Sequence, residues 1–411
     1  MRNALAIVIV FFIGNIAAAA DWPQWLGPKR DGGSSEVVKP WKEPLKILWK
    51  EPVGEGHGGP VIAKGKVYLH FGSPGKFEET IAAFDADSGK PAWSKTYPRS
   101  ESKFLFGNGP RSAPAVADGK VYTFGITGIL SCFDADSGKQ LWQVDTIAEY
   151  KAPKLFFGAS GSPLVEGNNV LINVGAKGAS IVAFDKNTGK EVWKKLDDGA
   201  SYSSPFPIGS GDTCQVIFLT AKGLVSLSPK DGSVFWQHPL VDRISESSTT
   251  PVVVGDILFG SSVTFGGLGL KMEDSATKPT VKEIWKKPEL NCYFSTPVAI
   301  GKDHLYLVTS SKTITLKTIA NLQCIEASTG KQLWTREKVG TYHASLLRTG
   351  DGKLLLVEEA GDLALVDPNP KEYRELARTK ICGNTWAHPA LANSRLYIRD
   401  AKNLVCVEMP K

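Results

Sequence analysis

An eleven-residue pattern that recurs along the chain constrains the fold more than any other feature of the sequence. Each good copy has a small residue at the first place, glycine at the seventh and tryptophan at the eleventh, as in AFDADSGKPAW and CFDADSGKQLW. The five good copies occupy residues 83–93, 132–142, 183–193, 226–236 and 324–334. A degenerate copy ends at Trp285, so tryptophan recurs roughly every 40–50 residues, a period typical of propeller blades and solenoids.

A second recurrent unit precedes the eleven-residue pattern and favours the propeller. Segments such as GGPVIAKGKVYLHFG and SAPAVADGKVYTFG are rich in β-branched and aromatic residues and are bounded by glycine and proline. This composition predicts a strand, a turn and a second strand. The eleven-residue pattern adds a third strand, a tight turn and a fourth strand that carries the tryptophan. Four short antiparallel strands in each period predict one propeller blade.

We count eight blades in an all-β propeller of four-stranded antiparallel sheets that spans residues 45–411. The seventh blade, from about Tyr342 to Arg378, has lost its tryptophan, and the eighth begins at Trp386 and ends after three strands. The N-terminal segment LKILWKE is the predicted outer strand of the eighth blade, because an unpaired edge would favour aggregation. The predicted structural tryptophans, each wedged against the glycine turn of a neighbouring blade, are Trp49, Trp93, Trp142, Trp193, Trp236, Trp285 and Trp334.

Neither the turn of the repeat nor the cysteines indicates a metal site. The DADSG turns resemble the start of an EF-hand calcium loop, but the twelfth place holds Thr96 in one copy and Asp145 in the other, not glutamate. We therefore predict hairpin turns and no bound metal. Cys132, Cys324 and Cys406 take the small-residue place, where cysteine behaves as a small buried hydrophobe. The pattern leaves open whether any disulfide forms among the scattered cysteines, which are Cys214, Cys292 and Cys382.

Residues 1–20 predict export. Arg2 precedes an apolar run from Leu5 to Ile13, and small residues follow up to Ala20, which is the pattern of a cleaved signal peptide. A membrane anchor is the alternative, but the run is short for a span of about 20 residues. We expect cleavage near Ala20, a periplasmic or secreted monomer without a transmembrane segment, and a strap of residues 21–44 across the propeller. The net charge of +6 is spread along the chain, which argues against nucleic acid as a partner.

The repeat resembles the motif of the pyrroloquinoline quinone (PQQ) propeller family, A-x-D-x-x-T-G-K-x-x-W. The segment DWPQWLGPKRDG at residues 21–32 also looks like the start of many exported proteins of this group. The resemblance implies an eight-bladed fold that serves two kinds of protein. These are quinone-dependent alcohol or sugar dehydrogenases, and non-enzymatic propellers such as the scaffold subunit of the outer-membrane barrel-assembly machine. The motif belongs to the frame, so it does not choose between them.

Three features that the resemblance implies for the dehydrogenases have no counterpart in the sequence. There is no Cys-Cys pair for a vicinal disulfide, no C-x-x-C-H haem motif, and little room for long insertions that would build a quinone pocket. We assign no particular residues to a calcium-binding triad. We therefore predict no cofactor and lean against an enzyme. A PQQ-dependent oxidoreductase of minimal design, with calcium, remains the alternative.

The residue three places before the proline that opens each inner strand varies sharply between blades, with Ser345 in the proline place of the seventh. Equivalent places in eight blades predict a ring at one mouth of the central channel. In blade order the ring is His57, Arg111, Ser160, Tyr202, Ser248, Phe294, Tyr342 and Trp386, with His343 and His388 beside the last two. Two long loops add Lys103, Phe104, Phe106, Lys154, Phe156 and Phe157 on the same side.

Two interpretations of the ring remain open. The aromatic residues either plug the channel or form a recognition site in which they stack on a ligand while Arg111 binds an anion. We predict an exported scaffold or binding module for a protein segment or small ligand. No catalytic residue is assigned. The candidate ligand-binding residues are His57, Arg111, Tyr202, Phe294, Tyr342, His343, Trp386 and His388.

Overall fold

The strands form eight separate four-stranded antiparallel sheets, as the computed structural model shows for residues 21–210, 214–273, 279–310 and 318–411. The innermost strands of neighbouring sheets contact one another around a central channel. The predicted eight-bladed all-β propeller is therefore confirmed. The predicted signal peptide, residues 1–20, lies outside the described residues.

The first strand of the chain, β1 (Ile47–Pro52), belongs to the last blade. The first four blades, each from the channel outward, consist of β2 (Val61–Ala63), β3 (Lys66–Gly72), β4 (Glu78–Asp85) and β5 (Pro91–Pro98); β6 (Ala115–Ala117), β7 (Lys120–Phe124), β8 (Ile129–Asp134) and β9 (Gln140–Asp145); β10 (Leu164–Glu166), β11 (Asn169–Ala176), β12 (Ala179–Asp185) and β13 (Glu191–Lys195); and β14 (Phe206–Ile208), β15 (Gln215–Leu219), β16 (Gly223–Leu227) and β17 (Val234–Pro239).

The other four blades follow the same order. They consist of β18 (Val252–Val254), β19 (Ile257–Ser262), β20 (Gly266–Glu273) and β21 (Thr280–Lys287); β22 (Val298–Ile300), β23 (His304–Ser310), β24 (Ala320–Glu326) and β25 (Lys331–Gly340); β26 (Ala344–Arg348), β27 (Leu354–Glu358), β28 (Asp362–Asp367) and β29 (Arg374–Lys380); and β30 (Ala390–Ala392), β31 (Arg395–Arg399), β32 (Asn403–Glu408) and β1. A short helix, α1 (Thr146–Tyr150), follows β9 and is capped by the Asp145 side chain, which accepts from the Ala148 amide.

The two ends of the chain close the ring. Strand β1 pairs antiparallel with β32, and Trp49 lies opposite Cys406. Without β1, the outer edge of β32 would present unpaired main-chain groups to other molecules. The predicted closure by an N-terminal strand in the last blade is confirmed.

The repeated tryptophans pack between blades. The Trp142 ring covers the Gly189 turn of the next blade, where a side-chain Cβ would lie only 2.7 Å from the ring, and its Nε1 donates to the Lys186 carbonyl oxygen at 3.2 Å. Gly189 has φ of +70°, so the turn needs glycine for both conformation and space. The same ring-over-glycine contact pairs Trp49 with Gly89, Trp93 with Gly138, Trp193 with Gly232, and Trp285 with Gly330. The prediction is wrong for Trp334, whose Nε1 donates to the Asn369 carbonyl in a turn of the seventh blade that has no glycine.

The small-residue place lies directly opposite the tryptophan across a hairpin. Cys132 faces Trp142 and Cys324 faces Trp334, so a larger side chain would meet the indole. All six cysteines are free thiols. In the seventh blade the tryptophan place holds Arg378, which lies opposite Ala364 and makes ion pairs with Glu375 on its own strand and with Glu358 at the end of β27.

The segment from residue 21 to residue 36 crosses the ring along the inner strands of several blades. Trp22 forms an antiparallel bridge with Ile62 in the first blade, and the Pro23 carbonyl accepts from the Val116 amide in the second. Arg30 is fully buried and donates to the main-chain carbonyls of Ser162, Pro163 and Pro205. The same segment then reaches the seventh blade, where Asp31 pairs with Arg348. It thus links blades on opposite sides of the channel.

Candidate functional site

The ring residues meet at one end of the channel, where the inner strands begin. They enclose a cavity of about 100 Å³, smaller than the roughly 300–1,000 Å³ of typical ligand pockets. The cavity is lined by Trp25, His57, Phe106, Arg111, Phe157, Ser160, Tyr202, Ser204, Ser248, Phe294, Thr296 and Trp386. Tyr342 completes the ring, with its side-chain ring centroid 5.7 Å from that of Trp386. We call the eight ring residues together the mouth ring.

Phe106 lies in the middle of the mouth ring. It is carried by residues 99–111, which we call the mouth loop and which connect β5 to the second blade. The Phe106 ring centroid is 5.0 Å from that of Trp386, 5.7 Å from that of Tyr342 and 5.8 Å from that of Phe157. Most of these contacts are edge-on or tilted, the geometries that aromatic pairs prefer. The aromatic residues of the mouth therefore form one continuous cluster around Phe106.

Arg111 ties two loops together at the mouth. Its Nε donates to the Phe157 carbonyl oxygen at 2.6 Å, and its Nη2 donates to the Leu105 carbonyl oxygen at 2.6 Å and to that of Gly107 at 3.3 Å. Burial lowers the pKa of Arg111 to about 10, so it remains a cation at neutral pH. All three of these acceptors are neutral carbonyls, and the positive charge at the mouth is therefore not neutralised by them.

His57 holds the tip of the mouth loop from the other side. Its Nε2 lies 2.7 Å from the Phe106 carbonyl oxygen, and its ring stacks on Trp386 with centroids 5.0 Å apart. Burial, together with the charge of Arg111, lowers the pKa of His57 to about 3. The imidazole is therefore neutral at physiological pH. Because a carbonyl only accepts, Nε2 carries the proton and donates.

Glu359 fixes two aromatic residues of the mouth ring and was not identified from the sequence. Its Oε1 accepts from Trp386 Nε1 at 2.9 Å, and its Oε2 accepts from the Tyr342 amide at 2.8 Å. It lies in the turn after β27, away from the inner strand of its blade. Glutamate in a hairpin turn is common, so the sequence carries no signal for this contact.

His343 and His388 lie below the mouth. His343 is buried between blades, with its Nδ1 2.9 Å from the Phe294 carbonyl oxygen and its Nε2 2.8 Å from Ser345 Oγ. His388 is buried in a second layer of the channel, where its ring meets the edge of Trp25 at a centroid distance of 4.6 Å. Successive residues of an extended chain face opposite sides, so His343 points away from the side that its neighbour Tyr342 faces. Neither histidine is among the residues that line the mouth cavity.

The floor of the cavity comes from the N-terminal segment. Trp25 enters the channel, and its Nε1 donates to Thr250 Oγ1 at 3.0 Å. Ser204 and Thr296 line the cavity two residues after Tyr202 and Phe294. The period of two along a strand is a signal that could have predicted this second layer, whereas the entry of Trp25 has no local signal.

Comparison with known proteins identifies the family. The family model described as "Outer membrane protein assembly factor BamB" matches residues 77–336. The chain belongs to this family of PQQ-like repeat β-propellers. Among curated proteins it is similar to the outer membrane protein assembly factor BamB of Burkholderia pseudomallei, with 25% identity over 309 residues, 72% of this chain and 70% of that protein. A quinoprotein ethanol dehydrogenase of Pseudomonas aeruginosa is 28% identical over 185 residues, 41% of this chain and 28% of the dehydrogenase.

Solved structures of both kinds of PQQ-like propeller share the fold. A quinohemoprotein alcohol dehydrogenase from Comamonas testosteroni has a TM-score of 0.67 at 15% identity and covers 95% of this chain and 82% of its own. A europium-containing methanol dehydrogenase has a TM-score of 0.65 at 15% identity, and the match covers 94% of this chain and 89% of the dehydrogenase. BamB from Moraxella catarrhalis has a TM-score of 0.60 at 16% identity, and the match covers 89% of this chain and 100% of the BamB chain. At these identities the likeness shows the fold alone.

The mouth of this PQQ-like propeller does not fit a quinone with calcium. Calcium takes six to eight oxygen ligands, of which carboxylates are the strongest, and no aspartate or glutamate lines the mouth cavity. Within the described residues, no three His, Cys, Asp or Glu side chains come together as a metal site. The cavity is also small for a fused-ring cofactor while Phe106 is in place. In the same part of the chain, no helix has the length and apolar character needed to span a membrane.

Proposed function

We propose that this propeller is a non-enzymatic binding module that holds a segment of another protein at the channel mouth. The observation that carries the proposal is the mouth itself, an aromatic cluster beside an arginine whose hydrogen bonds go to neutral carbonyls. Aromatic side chains and arginine are the residue types enriched where proteins bind other proteins.

Exposed apolar residues surround the mouth and support this proposal. Leu105 is 51% exposed and Phe156 is 66% exposed, and both lie on loops that lead into ring residues. Val241 and Ile244, on the loop that leads to Ser248, are also exposed. Apolar residues on several loops of one face favour a protein partner over a small polar ligand, because burying them stabilises a complex.

The relatives support a protein partner as well. The curated match that covers most of both chains is named an outer membrane protein assembly factor, whereas the match to the ethanol dehydrogenase covers 28% of that protein. The apolar run in residues 1–20 supports export, which would place the propeller with envelope proteins as candidate partners.

Selection from a random displayed-peptide library tests the proposal. We expect the mature protein to retain peptides from the library. The double variant Arg111→Ala with Trp386→Ala should bind the selected peptides at least about tenfold more weakly, because it lacks the stacking face and the cation. The melting temperature should change by only a few degrees, since neither residue belongs to the repeated tryptophan unit.

Val192→Ala is the matched control, because Val192 is half exposed on the outer strand β13, away from the mouth. It should bind the selected peptides as the wild type does. Selected peptides that bind the double variant unchanged would place the binding surface elsewhere and overturn the proposal.

The PQQ-dependent oxidoreductase is the second candidate, supported by the partial match to the ethanol dehydrogenase. The absence of carboxylates from the mouth cavity disfavours it. Titration of the protein with PQQ and calcium decides: we expect no stoichiometric uptake in the absorbance spectrum. Uptake with calcium-dependent dye reduction on addition of alcohols would replace the binding-module proposal.

A further inference from the structure

The tip of the mouth loop occupies the mouth as a bound peptide would. Leu105 and Gly107 are exposed, while the Phe106 ring between them points into the mouth. Phe106 has φ of +63° and Gly107 has φ of +104°. The left-handed region is uncommon for a bulky residue such as phenylalanine. It persists where surrounding contacts hold it, and such residues are frequent at ligand clamps and switches. The contacts that hold Phe106 are those of the mouth.

The main chain of the tip is bound by side chains of the mouth ring. The carbonyl oxygen of Leu105 accepts from Arg111, that of Phe106 accepts from His57, and that of Gly107 accepts from Arg111 again. Three successive carbonyls thus have donors from the ring. These donors bind main-chain carbonyls and do not contact a particular side chain. They can therefore bind any peptide segment whose backbone follows the same course.

The side chain of the tip is bound by a cage of aromatic residues. Around the Phe106 ring lie Phe157, Phe294, Tyr342 and Trp386, all with centroids within 6.4 Å. These four residues come from four different blades or their leading loops, so the cage belongs to the propeller and not to the mouth loop. Its shape and chemistry fit one aromatic side chain.

The mouth loop has room to move. One cavity of about 330 Å³, lined by Glu55, Arg99 and Lys103, lies on one side, and another of about 180 Å³, lined by Phe104 and Lys154, lies on the other. The base of the loop is anchored separately, because Arg99 donates to the carbonyls of Ser100, Ser102 and Asn108. The tip can therefore leave the cage while the base stays fixed.

We propose that the mouth is a receptor site for an aromatic residue with its flanking main-chain carbonyls, and that residues 105–107 occupy this site until a partner segment displaces them. The proposal rests on the proposed function and names the partner's chemistry: an extended segment with a phenylalanine-like side chain. An occupant tethered in the same chain competes at a high effective concentration. The apparent affinity for the partner is therefore reduced by the fraction of molecules whose mouth is open.

Calorimetric titration with the capped tripeptide acetyl-Leu-Phe-Gly-amide, which copies the tip, tests the proposal. In Phe106→Ala the competing ring is absent, and we expect the tripeptide to bind at least about tenfold more tightly than to the wild type. Acetyl-Leu-Ala-Gly-amide should not bind either protein measurably. Phe106→Ala with Trp386→Ala should lose the gain, because the cage is then incomplete.

Val192→Ala is again the control, since Val192 is half exposed on the outer strand β13, away from the mouth and from the cage. It should bind the tripeptide as the wild type does. Equal affinity of the wild type and Phe106→Ala, or equal binding of the alanine tripeptide, would overturn the proposal.

A second measurement uses the wild type alone and does not depend on the folding of a variant. Saturating tripeptide should raise amide hydrogen exchange in residues 104–108, because the displaced tip loses its contacts; unchanged or slower exchange would contradict displacement. The outcome is separable from the proposed function. If library peptides bind through Trp386 but Phe106→Ala does not bind the tripeptide more tightly, only the proposal that residues 105–107 occupy the mouth is refuted. If Phe106→Ala binds the tripeptide more tightly but no library peptide binds, only the proposal of a protein partner is refuted.

Discussion

Trp142 illustrates how one residue type couples neighbouring blades. Its ring covers a glycine turn, its indole N–H satisfies a carbonyl of that turn, and its other face meets Tyr122 with centroids 6.0 Å apart. The contact joins surfaces from two blades that have no strand pairing with each other. Side-chain packing of this kind therefore holds the ring of blades together.

We predict that Trp142→Ala lowers the free energy of unfolding by about 3–5 kcal/mol, the usual effect of removing a large buried aromatic side chain. Chemical denaturation of the mature protein measures the change. Leu141→Ala is the control, because Leu141 is adjacent in β9 but exposed, and it should cost about 0.5 kcal/mol or less. A loss below about 1 kcal/mol for Trp142→Ala would mean that the blades do not depend on this contact.

His343 makes the stability of the protein depend on pH. Burial lowers the pKa of His343 from its ordinary value to about 4, although the Phe294 carbonyl and the charge of Glu359 oppose this shift. Between pH 6.5 and 4 the unfolded chain binds a proton that the folded state excludes, so stability is full above pH 6.5 and falls with acidification. The loss at pH 4 amounts to about 3 kcal/mol for this residue.

Chemical denaturation at pH 7 and pH 4 tests this dependence. The wild type should lose more stability between the two values than His343→Gln, which has no proton to bind in the unfolded state. His70 and His388 are also buried and have lowered pKa values, so part of the acid sensitivity should remain in the variant. Equal losses in both proteins would show that His343 is not buried as a neutral group.

The positions of the ring residues were predictable, but their partners were not. The place before each opening proline follows from the repeat, so His57, Arg111 and Trp386 could be assigned to one mouth from the sequence. The mouth loop that inserts Phe106 has no repeat and no periodicity, and its inward course depends on Arg111 and His57, which lie outside its tip. Contacts made by loop residues outside the repeat leave no periodic pattern in the sequence, so a single sequence does not predict them.

At the scale of elements, strand β1 completes the last blade and so closes the ring of blades. It covers the outer edge of β32 along residues 403–407. The sequence predicted this pairing because the eighth blade lacked one strand and the N-terminal segment had one to supply. The course of residues 21–36 through the channel was not predictable in the same way, since Trp25 binds a threonine hydroxyl and Arg30 binds main-chain carbonyls of distant blades.

Two truncations separate these elements. Removal of residues 21–52 should expose β32 and produce aggregation with a sharply lower melting temperature. Removal of residues 21–44 keeps β1 and should lower the melting temperature while the protein stays monomeric. Size-exclusion chromatography and thermal melts distinguish the outcomes, and a monomeric, equally stable protein without residues 21–52 would contradict closure by β1.

At the scale of the whole molecule, the channel is closed at two levels by different parts of the chain. The N-terminal segment fills the channel beneath the mouth cavity with Trp25 and Arg30, and the mouth loop covers the mouth with Phe106. The first closure uses a buried cation held by carbonyls from two blades, whereas the second uses aromatic contacts beside open cavities. We infer that the filling of the channel by the N-terminal segment is structural and that only the mouth exchanges its occupant.

Arg30→Met tests this division of roles. The change leaves the carbonyls of Ser162, Pro163 and Pro205 without their donor, and we expect a loss of about 3 kcal/mol in the free energy of unfolding because buried acceptors are then unsatisfied. Lys29→Met is the control, since Lys29 is adjacent but exposed, and it should leave stability unchanged. Calorimetry with acetyl-Leu-Phe-Gly-amide on Phe106→Ala, with and without Arg30→Met, should give the same affinity. A large loss of tripeptide binding with Arg30→Met would mean that the N-terminal segment and the mouth act as one site.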